Sequence, residues 1–230
     1  MAIYYIKMWF DFLELIFPKY CYSCTQKLHK SQNYFCVSCN NSLPFVIQKS
    51  TSDNEIHQRF FNKLKVSEAF AYFYYYHKSY IGELLHDFKY QNLPQIGVYY
   101  GVEFADNIMN TSNLKYDYVI PVPMHKSKLK KRGYNQAEII ANEISKKLNV
   151  PLLLKNVEKV KSTSTQTKLG RIDRWLNSKD VYKIEIDLSG KTVLLVDDVI
   201  TTGATLESLG NECFKSGAKQ VSVAGFCLAT

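Results

Sequence analysis

The stretch Lys191–Leu209, KTVLLVDDVITTGATLESL, decides how the rest of the chain is read. Val193-Leu194-Leu195-Val196 is a short apolar run, rich in β-branched residues and bounded by polar ones. That is the composition of a strand buried in a parallel sheet. Two adjacent carboxylates follow, Asp197 and Asp198, and then a hydroxyl-rich turn, Thr201-Thr202-Gly203-Ala204-Thr205. Leu206 and Leu209 open an amphipathic helix. The predicted order is strand, acidic pair, glycine-containing turn, helix. A turn that feeds a helix aims several backbone N–H groups at one spot, and the helix dipole adds to its attraction for phosphate. Gly203 lets the backbone approach an anion closely, and the three threonines add hydroxyl donors. Aspartates repel phosphate, so Asp197 and Asp198 point to vicinal hydroxyls or to Mg²⁺. Phosphate beside vicinal hydroxyls describes a 5-phosphoribosyl group. The plainer alternative is an ordinary strand-to-helix turn with surface aspartates, which leaves the doubled carboxylate without a reason.

VLLVDDVITTGAT resembles the phosphoribosyl-diphosphate (PRPP) binding motif of type I phosphoribosyltransferases. The resemblance implies a parallel-sheet α/β core. It implies that Asp197 and Asp198 hold the ribose hydroxyls and support positive charge on the ring. It implies also that Thr201, Thr202, Gly203, Ala204 and Thr205 hold the 5-phosphate, with Mg²⁺ accompanying PRPP.

A second apolar segment, Asp117–Pro123 (DYVIPVP), reads as a buried strand. It runs into MHKSKLKKRGYNQAEIIANEISKKL, where Lys126, Lys128, Lys130, Lys131 and Arg132 crowd cations beside the strand's end. Pyrophosphate must be neutralised to leave, and Arg grips phosphate oxygens with a rigid fork where Lys acts as a point charge. Gly133 permits a tight turn, and Asn135 is placed to cap a helix running to Leu148. A solvated basic loop is the alternative. PVP followed by basic residues and then Arg-Gly-aromatic-Asn-Gln resembles the ComF family. In that comparison the loop after this strand holds pyrophosphate, through Lys126 and Arg132.

Cys21-x2-Cys24-x11-Cys36-x2-Cys39 is spaced so that each pair grips one side of a tetrahedral ion. Four thiolates leave Zn²⁺ no open position, so the site is structural. Disulfides are the alternative, disfavoured in a chain that reads as cytoplasmic. His29, between the pairs, reads as a surface residue. A four-cysteine knuckle ahead of a phosphoribosyltransferase motif is again similar to the ComF family. Cys213 and Cys227 read as small buried hydrophobes.

The chain of 230 residues carries a formal charge of +8, and the charge is uneven. From Ile120 to Lys183 there are fifteen Lys/Arg and five Asp/Glu, a local net of +10, which leaves −2 for the rest. Such a concentrated field is the footprint of a polyphosphate or nucleic-acid binder. Lys128, Lys130, Lys131, Lys159 and Lys161 are the candidate nucleic-acid contacts. Lys155 to Lys183, with its Ser/Thr-rich middle, resembles the family's flexible segment and is placed to close over the site as a lid. The first seventeen residues are apolar but broken by Lys7, Asp11 and Glu14. They lack a secretory h-region and a spanning stretch. Apolar side chains from Ile6 to Phe17 recur at helical spacing, predicting an amphipathic helix packed on the body, with weak membrane-surface contact as a second use.

These readings divide the chain into an N-terminal helix and zinc knuckle (1–45), a connector (46–66) and a phosphoribosyltransferase-like domain (67–230). Aromatic-rich Ser67–Tyr76 reads as a strand, with base stacking as the lesser alternative to core packing. Ser79–Tyr90 and Leu93–Met109 read as helices, the second with Val98, Val102, Phe104, Ala105 and Ile108 on its apolar positions. Lys89, in HDFKY, resembles the family's lysine-aromatic stretch and is placed to reach the ligand. The resemblance implies a role in natural competence. There the protein handles incoming single-stranded DNA, with PRPP binding and other competence proteins, such as a DNA-translocating helicase, as partners. A metabolic or salvage phosphoribosyltransferase acting on a base or amine acceptor is the reading of different class.

Overall fold

A computed structural model describes residues 18–48, 50–76, 78–160 and 181–230. Two short helices come first, α1 (Val37–Asn41) and α2 (Glu55–Phe60). Strand β1 (Ala69–Tyr75), helices α3 (Tyr80–Tyr90) and α4 (Gln95–Thr111), and strand β2 (Tyr118–Pro121) follow. Next are helices α5 (Lys126–Arg132) and α6 (Gln136–Leu148), then strands β3 (Val157–Lys159), β4 (Tyr182–Ile184) and β5 (Thr192–Ile200). Helix α7 (Ala204–Lys215) and strand β6 (Gln220–Ala229) end the chain. The main sheet has the order β1-β6-β5-β2, parallel throughout. β3 and β4 form a separate antiparallel pair.

β5 lies inside the sheet, which is why Val193–Val196 is apolar on both faces. Leu194 and Val196 join the core beneath α3, α4 and α6, with Phe88, Tyr100, Phe104, Ile140 and Phe226. Val193 and Leu195 join the opposite core, with Ile56 and Phe60 of α2 and Leu206 and Leu209 of α7. The two-residue period of a strand sorts its side chains between the layers. Both sheet edges are covered. Leu152 bridges Val119 in parallel, and Phe45 bridges Phe73 in antiparallel. The backbone bonds Val46 N–H to Tyr72 O (2.9 Å) and Tyr74 N–H to Pro44 O (2.7 Å) seal the second edge. Unpaired strand edges are aggregation sites, and here the chain's own flanks close them.

Helices α2, α3 and α6 begin at side chains that cap them. Ser79 Oγ accepts from Gly82 N–H, Asn135 Oδ1 from Ala137 N–H, and Asn54 Oδ1 from Ile56 and His57 N–H. Each satisfies donors that a helix start leaves orphaned. Cys213 and Cys227 are fully buried.

Three local expectations are corrected. The acidic pair lies within β5 rather than after it, and Asp197 still pairs with Gly225, because β6 runs on to Ala229 and extends the ladder. Val98 and Val102 are 44% and 41% exposed. Helix α4 instead turns Ile96, Tyr100, Phe104 and Ile108 inward, with Gly97 on the same face, where a methyl group would lie 2.4 Å from the Phe88 ring. The basic stretch after β2 is the helix α5, not an open loop. It contains no glycine or proline from Lys126 to Arg132, His125 caps its start, and Gly133 at φ 85° ends it.

Among the aromatics of β1, Phe70, Tyr72 and Phe73 are buried in core rather than displayed for stacking. The cysteine-containing segment packs directly on the sheet's helical layer, since Cys21, Leu28, Phe35 and Leu43 share one cluster with Phe73 and Tyr100. Among the described residues no helix is long and apolar enough to cross a membrane. The predicted N-terminal helix, most of the predicted lid, and Lys161 lie outside the described residues.

Candidate functional site

The carboxyl ends of parallel strands face one side of the molecule, and β5 delivers the acidic pair there. Asp197 and Asp198 are half-buried. Asp197 Oδ1 accepts from the backbone N–H of Asp198 at 2.9 Å. Lys89 Nζ, at the end of α3, lies 2.7 Å from Asp198 Oδ2. The two carboxylates are therefore unequal. Burial raises both. Beside Lys89, and with help from Arg132, Asp198 is nevertheless held below the usual carboxylate range. Burial and the adjacent charge of Asp198 push Asp197 well above that range. Burial works against the Lys89 ammonium, but the Asp198 charge and hydrogen bond win and raise its pKa.

After β5 the chain turns through Thr201 and Thr202, both exposed, into Gly203 at φ 80°, which precedes the first turn of α7. Thr202 Oγ1 accepts weakly from Ala204 N–H at 3.4 Å. Ala204 and Thr205 are exposed too, so the turn opens its hydroxyls and helix-start amides to solvent. Gly203 has a second reason to be glycine. A Cβ there would stand 2.9 Å from Cε1 of Phe60. The space beneath the turn is filled by α2.

Arg132 donates to Gln136 Oε1 (3.1 Å) and to Tyr90 Oη (3.3 Å), with its guanidinium 5.2 Å from the Tyr90 ring centroid. These contacts hold the fork on the α3 side of the acidic pair. Lys159, at the end of β3, sits 5.4 Å from the Tyr182 ring centroid. Burial and then the charge of Lys128 lower its pKa, opposed by Asp197. The structure thus gathers Asp197, Asp198, Lys89, Arg132 and Lys159 around one strand end, with Lys128 beside Lys159. Lys126, Lys130 and Lys131 are exposed on α5 and form no ion pair among the described residues. Lys159 differs from them. It is half-buried, against the Tyr182 ring.

Sequence reasoning missed Arg59. It donates to the carbonyl oxygens of Ile200 (3.3 Å), Thr201 and Ala229. No local signal marks it, since its partners lie more than 140 residues away.

The four cysteines form a second centre. All four Sγ atoms lie within 4.8 Å of one another, and Cys24 Sγ is 3.8 Å from Cys36 Sγ. Four ligands about 2.3 Å from a tetrahedral Zn²⁺ stand roughly 3.8 Å apart, so this cluster fits that ion. Cys36 N–H donates to Cys21 Sγ at 3.4 Å, an orientation that favours thiolate. His29 is not in the cluster and contacts Ser31 instead.

Sheet order, a strand-end acidic pair and a glycine turn into a helix define a type I phosphoribosyltransferase-like protein. The sequence profile of the phosphoribosyl transferase domain matches residues 132–229. Competence protein F of Haemophilus influenzae is 30% identical over 224 residues, spanning 91% of this chain and 96% of that protein. Competence protein ComFC of Bacillus subtilis is 27% identical over 91% of this chain and 83% of its own length. DNA utilization protein YhgH of Shigella flexneri is 30% identical over 48% of this chain and 49% of its own. The chain belongs to the ComF family.

Proposed function

We propose that this protein binds PRPP at the carboxyl end of β5 and single-stranded DNA through its basic region. It supports the handling of incoming DNA during natural transformation in the cytoplasm, alongside other competence proteins. One observation carries the reading: a single strand delivers the acidic pair and the Gly203 turn to a point where Lys89, Arg132 and Lys159 converge. Relatives named for competence and DNA utilization support the biological half.

In this account the turn 201–205 holds the 5-phosphate through backbone amides and threonine hydroxyls. Asp198, kept ionised by Lys89, accepts from the ribose hydroxyls. Its charge opposes the positive charge that develops at the anomeric carbon. Asp197, the carboxyl whose ionisation costs most, would share the ribose hydroxyls with Asp198, and Mg²⁺ arriving with PRPP would supply compensating positive charge beside the pair. Arg132 and Lys126 take up charge on pyrophosphate. Transfer breaks the bond between the anomeric carbon and pyrophosphate, whose oxygen keeps the electron pair, and forms one to the acceptor nucleophile. The other exposed lysines of α5, Lys128, Lys130 and Lys131, meet DNA phosphates. Zn²⁺ on Cys21, Cys24, Cys36 and Cys39 is structural.

The test is Asp197→Asn combined with Asp198→Asn. PRPP binding is lost while circular dichroism and zinc content stay as in the wild type. Undiminished PRPP affinity in that double variant refutes the site.

A further inference from the structure

Arg59 and Phe60 sit on α2, outside both sequence motifs, yet both reach the turn after β5. The Arg59 guanidinium donates to carbonyls at the ends of two neighbouring strands, Ile200 of β5, Thr201 just after it, and Ala229 of β6. One planar fork thereby ties together the point where the parallel ladder runs out. Phe60 is buried, with its ring packed on Gly203.

The consequence follows from peptide geometry. In a trans peptide the carbonyl and the next residue's N–H point in opposite directions. Arg59 holds the Ile200 and Thr201 carbonyls to its own side. The N–H groups of Thr201 and Thr202 are therefore turned to the other side. Phe60 blocks the turn from collapsing back, and Gly203 at φ 80° has the conformation that this packing needs. Rotating either peptide would break one of the charge-assisted bonds to a half-buried guanidinium.

We infer that Arg59 is a positioning residue, with Phe60 as its backstop, which preorganises the turn 201–205 to receive a phosphate monoester. The functional half of the inference rests on the phosphoribosyl reading above; the anchoring half does not. A preformed anion cradle binds more tightly than one that must be ordered on binding. Lysine cannot replace Arg59, because one ammonium cannot reach three carbonyls on two strands in a fixed plane.

The experiment compares wild type, Arg59→Lys and Arg59→Ala in the full chain, by calorimetry with ribose 5-phosphate, PRPP with Mg²⁺, and pyrophosphate with Mg²⁺. Both variants should lose about tenfold in affinity for ribose 5-phosphate and for PRPP while retaining pyrophosphate affinity, a split that general unfolding would not produce. Backbone amide order parameters of the ligand-free proteins are the second readout. They fall at Thr201–Thr205 in the variants, while β2 and α6 keep theirs. Unchanged ribose 5-phosphate affinity in Arg59→Ala overturns the positioning role and leaves the PRPP site standing. A wild type that binds neither phosphoribosyl ligand overturns the phosphoribosyl reading, and the order parameters then decide the anchor alone. Unchanged order parameters at 201–205 overturn that anchor.

Discussion

Lys89 Nζ lies 2.7 Å from Asp198 Oδ2, with both side chains about four-fifths shielded from solvent. This pair joins the end of α3 to the end of β5 and keeps one of two crowded carboxylates charged. Removing either partner leaves a shielded charge without its neighbour. Lys89→Met should cost about 2 kcal/mol and Asp198→Asn less, because the acidic pair repels itself. A double-mutant cycle by urea unfolding should give a coupling of about 1–3 kcal/mol. Additive single and double variants would mean that the pair contributes nothing to stability.

Glu68 is buried at 3% exposure and accepts from four donors. They are Thr51 Oγ1 (3.0 Å), Ser112 Oγ (2.6 Å), Asn113 N–H (2.9 Å) and Tyr116 Oη (2.7 Å). Burial raises its pKa, but the donors outweigh burial and hold it below the usual range. A carboxylate with a depressed folded pKa stabilises the fold above its unfolded value, about 4.3. That stabilisation disappears as pH falls through the folded value. Glu68→Gln should cost about 1–3 kcal/mol at pH 7 and reduce the acid sensitivity. Parallel pH–stability curves for variant and wild type would show that Glu68 is not the sensor of acid.

The cysteine cluster shares its apolar contacts with the sheet's helical layer, so losing the ion should affect more than the N-terminal lobe. Cys21→Ser should lower zinc content and reduce the thermal midpoint. A chelator should do the same to the wild type and nothing further to the variant. Full zinc occupancy in Cys21→Ser contradicts a four-cysteine site.

Lys128, Lys130 and Lys131 face solvent on α5. Their joint replacement by Gln should weaken single-stranded DNA binding and reduce the salt slope by about 2, at roughly 0.7 per phosphate contact. PRPP affinity should change far less. An unchanged slope places the DNA surface elsewhere.

The acidic pair, the glycine turn and the four cysteines were legible because each packs its chemistry into one short stretch of sequence. The interior strand was legible because burial on both faces demands an unbroken apolar run. Arg59 and Glu68 were not. Arg59 sits in a polar connector, and Glu68 reads as an ordinary strand-edge acid. Only the tertiary fold brings their distant partners to them. Val98 and Val102 misled because glycines at positions 97 and 101 took the helix contact that larger residues usually make. The α5 stretch misled because dense positive charge reads as loop. Lysine and arginine are good helix formers when a cap and a terminating glycine bracket them.

The central claim is that a phosphoribosyl site at the end of β5 works together with a DNA surface. Calorimetry of PRPP with Mg²⁺, alone and with a single-stranded oligonucleotide present, tests it most directly. PRPP should bind, and the oligonucleotide should change that affinity, with PRPP changing oligonucleotide affinity by the same factor because coupling is reciprocal. PRPP binding that DNA neither alters nor accompanies contradicts the account and favours a salvage phosphoribosyltransferase, and no PRPP binding at all contradicts the site itself.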